Sequence, residues 1–122
     1  PVKEISEVEL FDQNIKHVYF DFDSYTIRSD AGDALSKNAE FLRSRPGIRF
    51  TVEGHCDARG SEEYNLGLGD RRANSAKEYL VNLGIPEGRI RAVSYGKSRP
   101  SCTANDEECW QENRRAHMRF GQ

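Results

Sequence analysis

The chain has 122 residues, of which 36% are apolar and 31% are charged, and this composition fits one compact α/β domain and excludes a disordered or fibrous protein. Eighteen basic residues against twenty acidic residues give a net charge of −2, which argues against a nucleic-acid-binding protein. No apolar run approaches the roughly 18 residues that span a bilayer, and residues 1–5 contain no apolar core of a signal peptide. A trimmed mature domain and a cytosolic protein both remain open.

The chain divides into a short arm and one domain. Residues 1–16 lack clean periodicity and are interpreted as an N-terminal lead-in arm that can include a short helical turn. Residues 17–122 alternate between strand and helix patterns, without an internal repeat, a linker or a low-complexity tract. Strands that alternate with helices need crossover connections, so we predict a sheet with some parallel pairing that is covered by helices.

The strands and helices are predicted from apolar periodicity. Four strands are expected at residues 17–22, 48–53, 90–95 and 116–120, and three helices start at Ser29 or Asp30 (with a stop at Pro46), at Tyr64 (through Leu83) and near Cys109. Alternation places Val18, Phe20 and Phe22 on one face of the first strand. The long second helix should break at Gly67 and Gly69, because glycine is a poor helix former.

The cysteines favour an oxidising compartment. Cys102 and Cys109 lie close together in a polar stretch that is typical of a loop. A disulfide between them would contribute about 2–3 kcal/mol of stability and would suit a protein outside the cytosol. Two unrelated free thiols are the alternative. Cys56 is then the odd cysteine, and we expect it to stay reduced.

The loop after the second strand holds His55, Cys56 and Asp57 in succession. Three adjacent ligands cannot readily surround one metal ion, and the spaced pairs of common metal sites are missing. A nucleophilic Cys56 would need a base, but neighbouring residues in an extended segment point to opposite faces, so His55 would not meet it. We therefore interpret His55 as bonded to the turn and Cys56 as a small, partly buried filler.

Asp57 and Arg72 form a candidate pair for a charged ligand. Asp57 follows a strand, and Arg72 is expected in the first turn of the long helix, where free backbone N–H groups and a guanidinium together would receive a carboxylate. An arginine is unusual at that end of a helix, because the dipole there favours anions. A salt bridge between Asp57 and Arg72, or a solvated Arg72, remains open from the chemistry alone.

Several motifs in order resemble the OmpA-like C-terminal domain family, and most closely its peptidoglycan-associated lipoprotein branch. Residues 52–60 read VEGHCDARG, which is similar to the signature loop of that branch. The other matching segments are residues 18–25, 64–65, 68–74, 93–100 and 113–116, so the likeness covers about residues 17–120. Cys56, where the family usually has a small or hydroxylated residue, and the cysteine pair at residues 102 and 109 depart from the family pattern.

The resemblance implies an α/β sandwich, with an approximately four-stranded mixed sheet packed against helices. It also implies a binding site for the diaminopimelate residue of a peptidoglycan stem peptide, without a catalytic residue, a metal ion or a cofactor. Asp57 would take the distal ammonium of diaminopimelate and Arg72 its distal carboxylate. The rest of the pocket would be lined by Phe22, Asp23, Ser24, Asn65 and Leu68.

The same resemblance implies a protein that anchors the outer membrane to the cell wall. Binding would be non-covalent and would take place on the periplasmic side of the outer membrane, within the Tol-Pal system. A lipid anchor upstream and the protein TolB would be its further partners. The alternatives are the peptidoglycan-binding tail of an outer-membrane porin or of a flagellar stator protein and, from another class, a cysteine-dependent peptidoglycan hydrolase that uses Cys56.

Overall fold

Four α-helices and four strands alternate along residues 5–122, the part of the chain that the computed structural model describes. The elements are α1 (Glu7–Asn14), β1 (Val18–Tyr19), α2 (Ser29–Ser44), β2 (Phe50–His55), α3 (Glu62–Asn82), β3 (Ile90–Gly96), α4 (Glu107–Asn113) and β4 (Arg115–Phe120). The predicted α/β class, with a four-stranded mixed sheet packed against helices, is confirmed. Within residues 5–122, no helix combines the length and the apolar character needed to cross a membrane.

The sheet has the order β1-β4-β2-β3, in which β2 and β3 are parallel and the other two pairs are antiparallel. Since β1 and β2 are both antiparallel to β4, they run in the same direction. The segments that follow these two strands therefore leave the sheet at the same edge. Helix α3 connects β2 to β3 and starts close to that edge, so three separate parts of the chain converge there.

The core lies between the helices and one face of the sheet. Alternate residues of the strands, such as Phe50 and Val52 of β2, point into it and meet buried residues of α2 and α3 such as Leu35 and Leu80. Every residue of β2 is buried, including Thr51 on the opposite face. Strand β2 is therefore covered on both sides.

Helix α1 is the least expected element of the fold. Its N-cap Ser6 accepts a hydrogen bond from the backbone N–H of Glu9. Phe11 is its only buried residue, and the Phe11 ring lies 5.6 Å from that of Phe120 and 5.9 Å from that of Phe50. Residues 1–4 of the predicted arm lie outside the described residues, and the boundary between arm and domain stays a prediction.

The first strand is shorter than predicted. Pairing ends at Tyr19, and a turn follows in which the Ser24 N–H donates to the Asp21 carbonyl and Asp23 adopts a left-handed conformation with φ 52°. The turn ends the alternation after Phe20, which is fully buried. Phe22 is consequently 59% exposed instead of pointing into the core, and that part of the strand prediction is wrong.

The start of α2 also differs from the prediction. Its N-cap is Arg28, and no side chain caps the helix, so neither Ser29 nor Asp30 has the predicted capping position. The Asp30 carboxylate is occupied by the Arg28 guanidinium, at 3.0 Å from Nε and 2.8 Å from Nη2. The same carboxylate also accepts the Ala31 N–H at 2.9 Å, so Asp30 serves one backbone donor of the first turn without being the N-cap.

Helix α3 runs without interruption through Gly67 and Gly69, so the predicted break is wrong. Gly67 has open space around it, whereas a Cβ on Gly69 would collide with the Ser94 hydroxyl. A Cβ on Gly54 of β2 would collide with the carbonyl oxygen of Gly69. Gly54 and Gly69 are therefore needed for the close approach of β2 and α3, which brings the end of β2 against the helix.

Candidate functional site

A cavity of about 230 Å³ opens where the segments after β1 and β2 meet the N-terminal half of α3. Its wall contains six of the seven residues that the family resemblance implied for a ligand pocket. The complete lining is Phe22, Asp23, Cys56, Asp57, Arg59, Gly60, Tyr64, Asn65, Leu68 and Arg72. The parallel course of β1 and β2 explains why residues so distant in sequence share one cavity.

Ser24, the seventh predicted residue, does not line the cavity. Its carbonyl oxygen accepts a hydrogen bond of 2.8 Å from Nε of Arg72, and its hydroxyl accepts one of 3.1 Å from the Thr26 N–H. Ser24 therefore holds the turn after β1 and supports Arg72 from behind.

Arg72 lies in the middle of α3 and not in its first turn, which is a correction to the sequence analysis. The helix begins at Glu62 and is capped by Ser61, so its free N–H groups are far from Arg72. The side chain is 1% exposed and is held by three backbone carbonyls. Besides Ser24, these are His55, at 3.1 Å from Nη1, and Asp21, at 3.1 Å from Nη2.

Arg72 makes no salt bridge with any carboxylate of residues 5–122, since all of its bonded acceptors are neutral carbonyls. The two alternatives of a salt bridge to Asp57 and of a solvated side chain are therefore both wrong. Burial lowers the pKa of Arg72 from its usual value, but an arginine stays charged in proteins. Three of its five N–H donors serve the carbonyls, so the wall of the cavity presents a buried cation with donors to spare for an anion.

Asp57 is buried at the end of β2, with 5% of its surface exposed. Its carboxylate pairs with Arg59, at 2.8 Å between Oδ2 and Nη2, and with Arg114, at 3.3 Å between Oδ2 and Nη1. Burial alone would raise the pKa of Asp57, but the donors of Arg59 and Arg114 outweigh it and hold the pKa below its usual value. The site therefore contains an ionised carboxylate beside the Arg72 cation.

Arg59 lies between two aromatic rings. Its guanidinium carbon is 4.1 Å from the ring centroid of Phe22 and 4.1 Å from that of Trp110, so both faces of the cation are covered. Such stacking is favourable because the ring face is negative and the guanidinium is weakly hydrated. We call the space between Phe22 and Trp110 the aromatic slot.

Trp110 is positioned by α4 and by the loop that precedes it. The predicted disulfide between Cys102 and Cys109 forms, and it joins this loop to the helix. The Asn113 side chain accepts the Ser101 N–H at 2.7 Å and donates to the Cys102 carbonyl at 2.9 Å. A short helix is thereby tied at both ends and presents Trp110 to Arg59.

Cys56 has the features of a packed side chain, as predicted. It is 3% exposed, and its thiol donates to the Asn65 carbonyl at 3.3 Å. Burial raises the pKa of Cys56 to about 11, so the thiol is protonated at neutral pH.

The adjacent His55 does not bond the turn as predicted, because its Nε2 lies 3.3 Å from a Glu53 carboxylate oxygen. Within residues 5–122, no group of three or more His, Cys, Asp or Glu side chains could hold a metal ion.

Four residues of the site or its surroundings were not identified from the sequence. Arg59 is only two positions from Asp57, and Trp110 is the single tryptophan of the chain. Arg114 belongs to a basic cluster that is more typical of a helix end, yet it is 3% exposed and donates to the Phe20 carbonyl at 2.9 Å. The Tyr64 hydroxyl donates to the Asp23 carboxylate across the mouth of the cavity.

The family model and the relatives that match this chain all point to the same family. The sequence model of the OmpA family matches residues 19–115. A peptidoglycan-associated lipoprotein of Rhizobium meliloti is 48% identical over 99 residues, which are 81% of this chain and 56% of that protein. One of Pasteurella multocida is 39% identical over 93% of this chain and 75% of that protein. The chain thus spans little more than half the length of the first of these relatives.

Solved structures share the fold. The crystal structure of the peptidoglycan-associated lipoprotein from Burkholderia pseudomallei has a TM-score of 0.83 and 39% identity, over 86% of this chain and 89% of that one. The C-terminal domain of Helicobacter pylori MotB has a TM-score of 0.81 with 21% identity, over 88% and 85% of the two chains. At that identity, the second likeness concerns the fold alone.

Proposed function

We propose, from the premise that this chain belongs to the OmpA family, that it binds diaminopimelate-type peptidoglycan without a covalent bond. The relatives with 39% to 48% identity are named peptidoglycan-associated lipoproteins. The cavity supplies a reason for this specificity that is independent of the names. It contains one buried anion and one buried cation side by side, and the distal end of diaminopimelate carries one ammonium and one carboxylate.

The observation that carries the proposal is that Arg72 has carbonyl partners but no carboxylate partner among residues 5–122. A buried guanidinium with neutral partners has lost hydration that backbone carbonyls replace only in part, so an incoming carboxylate gains a charge-assisted, two-pronged contact. Asp57 would receive the ammonium of the same ligand. Phe22, Asp23, Asn65 and Leu68 line the rest of the cavity, and Ser24 contributes through its contact with Arg72.

Peptidoglycan binding would serve to anchor the outer membrane to the cell wall. The proposal places the chain on the periplasmic side of the outer membrane, with a lipid anchor upstream of residue 1 and TolB of the Tol-Pal system as a protein partner. The disulfide between Cys102 and Cys109 supports an oxidising compartment of this kind. A porin tail or a stator protein is less favoured, because the relatives with 39% to 48% identity are named peptidoglycan-associated lipoproteins, whereas the MotB structure shares 21% of its residues with this chain.

The domain is proposed to be a binding module and not an enzyme. The cysteine hydrolase hypothesis needs a thiolate and a neighbouring base, whereas the pKa of Cys56 is raised and His55 is bonded to Glu53. We expect purified domain to release no soluble muropeptides from sacculi. A release that is lost in Cys56→Ser would contradict the binding-module proposal.

Calorimetric titration with two stem peptides tests the binding proposal. One peptide contains meso-diaminopimelate at its third position, and the other contains lysine, which keeps the ammonium and lacks the carboxylate. We expect the diaminopimelate peptide to bind about 30- to 1000-fold more tightly, because loss of the carboxylate costs about 2–4 kcal/mol. Asp57→Asn should weaken binding of the diaminopimelate peptide, and Arg72→Lys should remove most of the preference because a point charge cannot form the two-pronged contact.

Arg71→Ala is the matched control, since Arg71 is the exposed neighbour of Arg72 in α3 and does not line the cavity. It should bind both peptides as the unchanged protein does. Equal affinity of the unchanged protein for the two peptides would refute the proposed role of Arg72.

A further inference from the structure

The Asp57 carboxylate has no acceptor capacity to spare. Oδ1 accepts from the backbone N–H of Arg59 at 3.0 Å and from its Nε at 3.2 Å. Oδ2 accepts from Nη2 of Arg59 at 2.8 Å and from Nη1 of Arg114 at 3.3 Å. A carboxylate offers about four lone-pair sites, so four donors fill it. An ammonium can reach Asp57 only if one of the two arginines withdraws.

The two arginines differ in how firmly they are held. Arg114 is 3% exposed, and it also bonds the Phe20 carbonyl at 2.9 Å and Glu107 at 2.7 Å. The Arg59 side chain is 36% exposed, and among residues 5–122 its guanidinium donates to Asp57 alone. Withdrawal of Arg114 would leave a buried charge and a carbonyl unpaired, whereas Arg59 can turn outward into water. Arg59 is therefore the arginine that can leave the Asp57 carboxylate.

We propose that the Arg59 guanidinium occupies, in the free protein, the position against Asp57 that the ligand ammonium takes, so that binding exchanges one cation for another. The proposal rests on the proposed function and adds a residue that determines its specificity. The exchange keeps Asp57 paired with a cation in both states. A ligand without an ammonium cannot replace Arg59 in this way, so Arg59 excludes it.

The aromatic slot takes part in the same exchange. In the free protein Phe22 and Trp110 cover both faces of Arg59, each at 4.1 Å from its guanidinium carbon. When Arg59 leaves, the slot opens next to Asp57 and can stabilise the incoming ammonium through the same cation–π attraction. Arg72 stays in place on its three carbonyls to receive the carboxylate.

Trp110 makes the exchange observable, because it is the only tryptophan of the chain. Removal of a stacked cation changes the surroundings of its indole ring. The emission of this single tryptophan should therefore change when the ligand displaces Arg59, and it should already be changed in a protein without the Arg59 side chain.

The experiment compares the unchanged protein with Arg59→Ala and with Arg99→Ala. Arg99 is a matched control, since its guanidinium lies 3.7 Å from the Tyr95 ring centroid on the surface and does not contact Asp57. Each protein is titrated with the tripeptide L-Ala-γ-D-Glu-meso-diaminopimelate while tryptophan emission and heat are recorded. Chemical unfolding of each variant first establishes that it is folded.

We expect Arg59→Ala to bind the tripeptide about 3- to 30-fold more tightly. The unchanged protein can bind it only during the fraction of time when Arg59 has moved away from Asp57. The free emission of Arg59→Ala should differ from that of the free unchanged protein, because Trp110 no longer stacks on a guanidinium, and Arg99→Ala should match the unchanged protein in both measurements. Equal or weaker binding by Arg59→Ala, while the unchanged protein binds, overturns the exchange and leaves the proposed function standing. No binding by the unchanged protein overturns both.

Discussion

Arg72 links the stability of the fold to the chemistry of the cavity. Its guanidinium joins the turn after β1 to the end of β2, because it donates to the carbonyls of Asp21, Ser24 and His55. The same side chain lines the cavity. A change at this position therefore affects folding as well as binding, and the ligand-side comparison of lysine with diaminopimelate is the cleaner test of function.

Arg72→Ala should lower the free energy of unfolding by about 2–4 kcal/mol, because three carbonyls at a buried site lose their donor. Urea unfolding at neutral pH measures the difference. Arg71→Ala should stay within about 0.5 kcal/mol, since Arg71 is exposed. An Arg72→Ala variant as stable as the Arg71→Ala control would show that the three hydrogen bonds contribute little.

Unfolding without a reducing agent should expose one free thiol per chain. Cys102 and Cys109 are joined, and Cys56 is reduced and buried. In the folded state, alkylation should be slow as well, because burial raises the pKa of Cys56 to about 11 and keeps the thiolate scarce. A count of three thiols after unfolding would contradict the disulfide.

At the residue level, the sequence predicted the members of the cavity better than their contacts. Asp57 and Arg72 were identified as a charged pair, yet they do not bond each other. Which cation pairs with a buried carboxylate depends on side-chain reach across the turn after β2, and residue types alone do not reveal it. Trp110 could not be placed because it enters from α4, whose position depends on the path of a long loop.

Among the elements, β2 and α3 leave the least room for a larger side chain at the point where they cross. Gly54 and Gly69 face each other where the strand meets the helix, and the Gly54 Cβ position is blocked by backbone. Because the end of β2 positions Asp57 and the middle of α3 positions Arg72, this crossing sets the distance between the two charges of the site.

Gly54→Ala should therefore destabilise the protein by roughly 3 kcal/mol or more, since backbone must move to admit the methyl group. Gly67→Ala is the control within α3, because its Cβ would point into open space and alanine favours a helix. It should stabilise the protein by about 0.5–1 kcal/mol. Equal unfolding midpoints in urea for the two variants would contradict the proposed close packing.

Apolar periodicity predicted some strands and helices correctly and others wrongly. The β2, β3 and β4 patterns predicted strands correctly, since they lie in the interior of the sheet or pair along their length. Phe22 continued the alternation of β1 in sequence, but the left-handed Asp23 shows that the chain turns there. Glycine suggested a break in α3, although tight packing against Ser94 of β3 and Gly54 of β2, and not flexibility, explains Gly69.

For the whole molecule, the half-buried His17 and the buried His55 should contribute to the dependence of stability on pH. Burial lowers the pKa of His17 and of His55 to about 4, below the value near 6.5 of an unfolded chain. As the pH falls from 6.5 to 4, the unfolded state therefore takes up protons that the folded state does not. Stability is lost over this window, with a slope of up to about 1.4 kcal/mol per pH unit for each histidine.

Urea unfolding between pH 7.5 and pH 4.5 measures this slope. His17→Asn is a suitable variant, because its Oδ1 can accept the Met118 N–H that Nδ1 of His17 accepts at 3.0 Å. It should show a shallower slope than the unchanged protein. A midpoint that stays constant across this pH range would mean that neither histidine is neutral by burial.

The shared direction of β1 and β2 has a mechanical consequence. The cavity lies at the edge where these strands end, so the chain enters β1 from the opposite edge. Under the proposed function, the cavity holds the cell wall and a membrane tether lies upstream of β1, so tension would run along the strands. The hydrogen bonds between antiparallel β1 and β4 lie across that direction, so they would be loaded together in shear instead of being opened one after another.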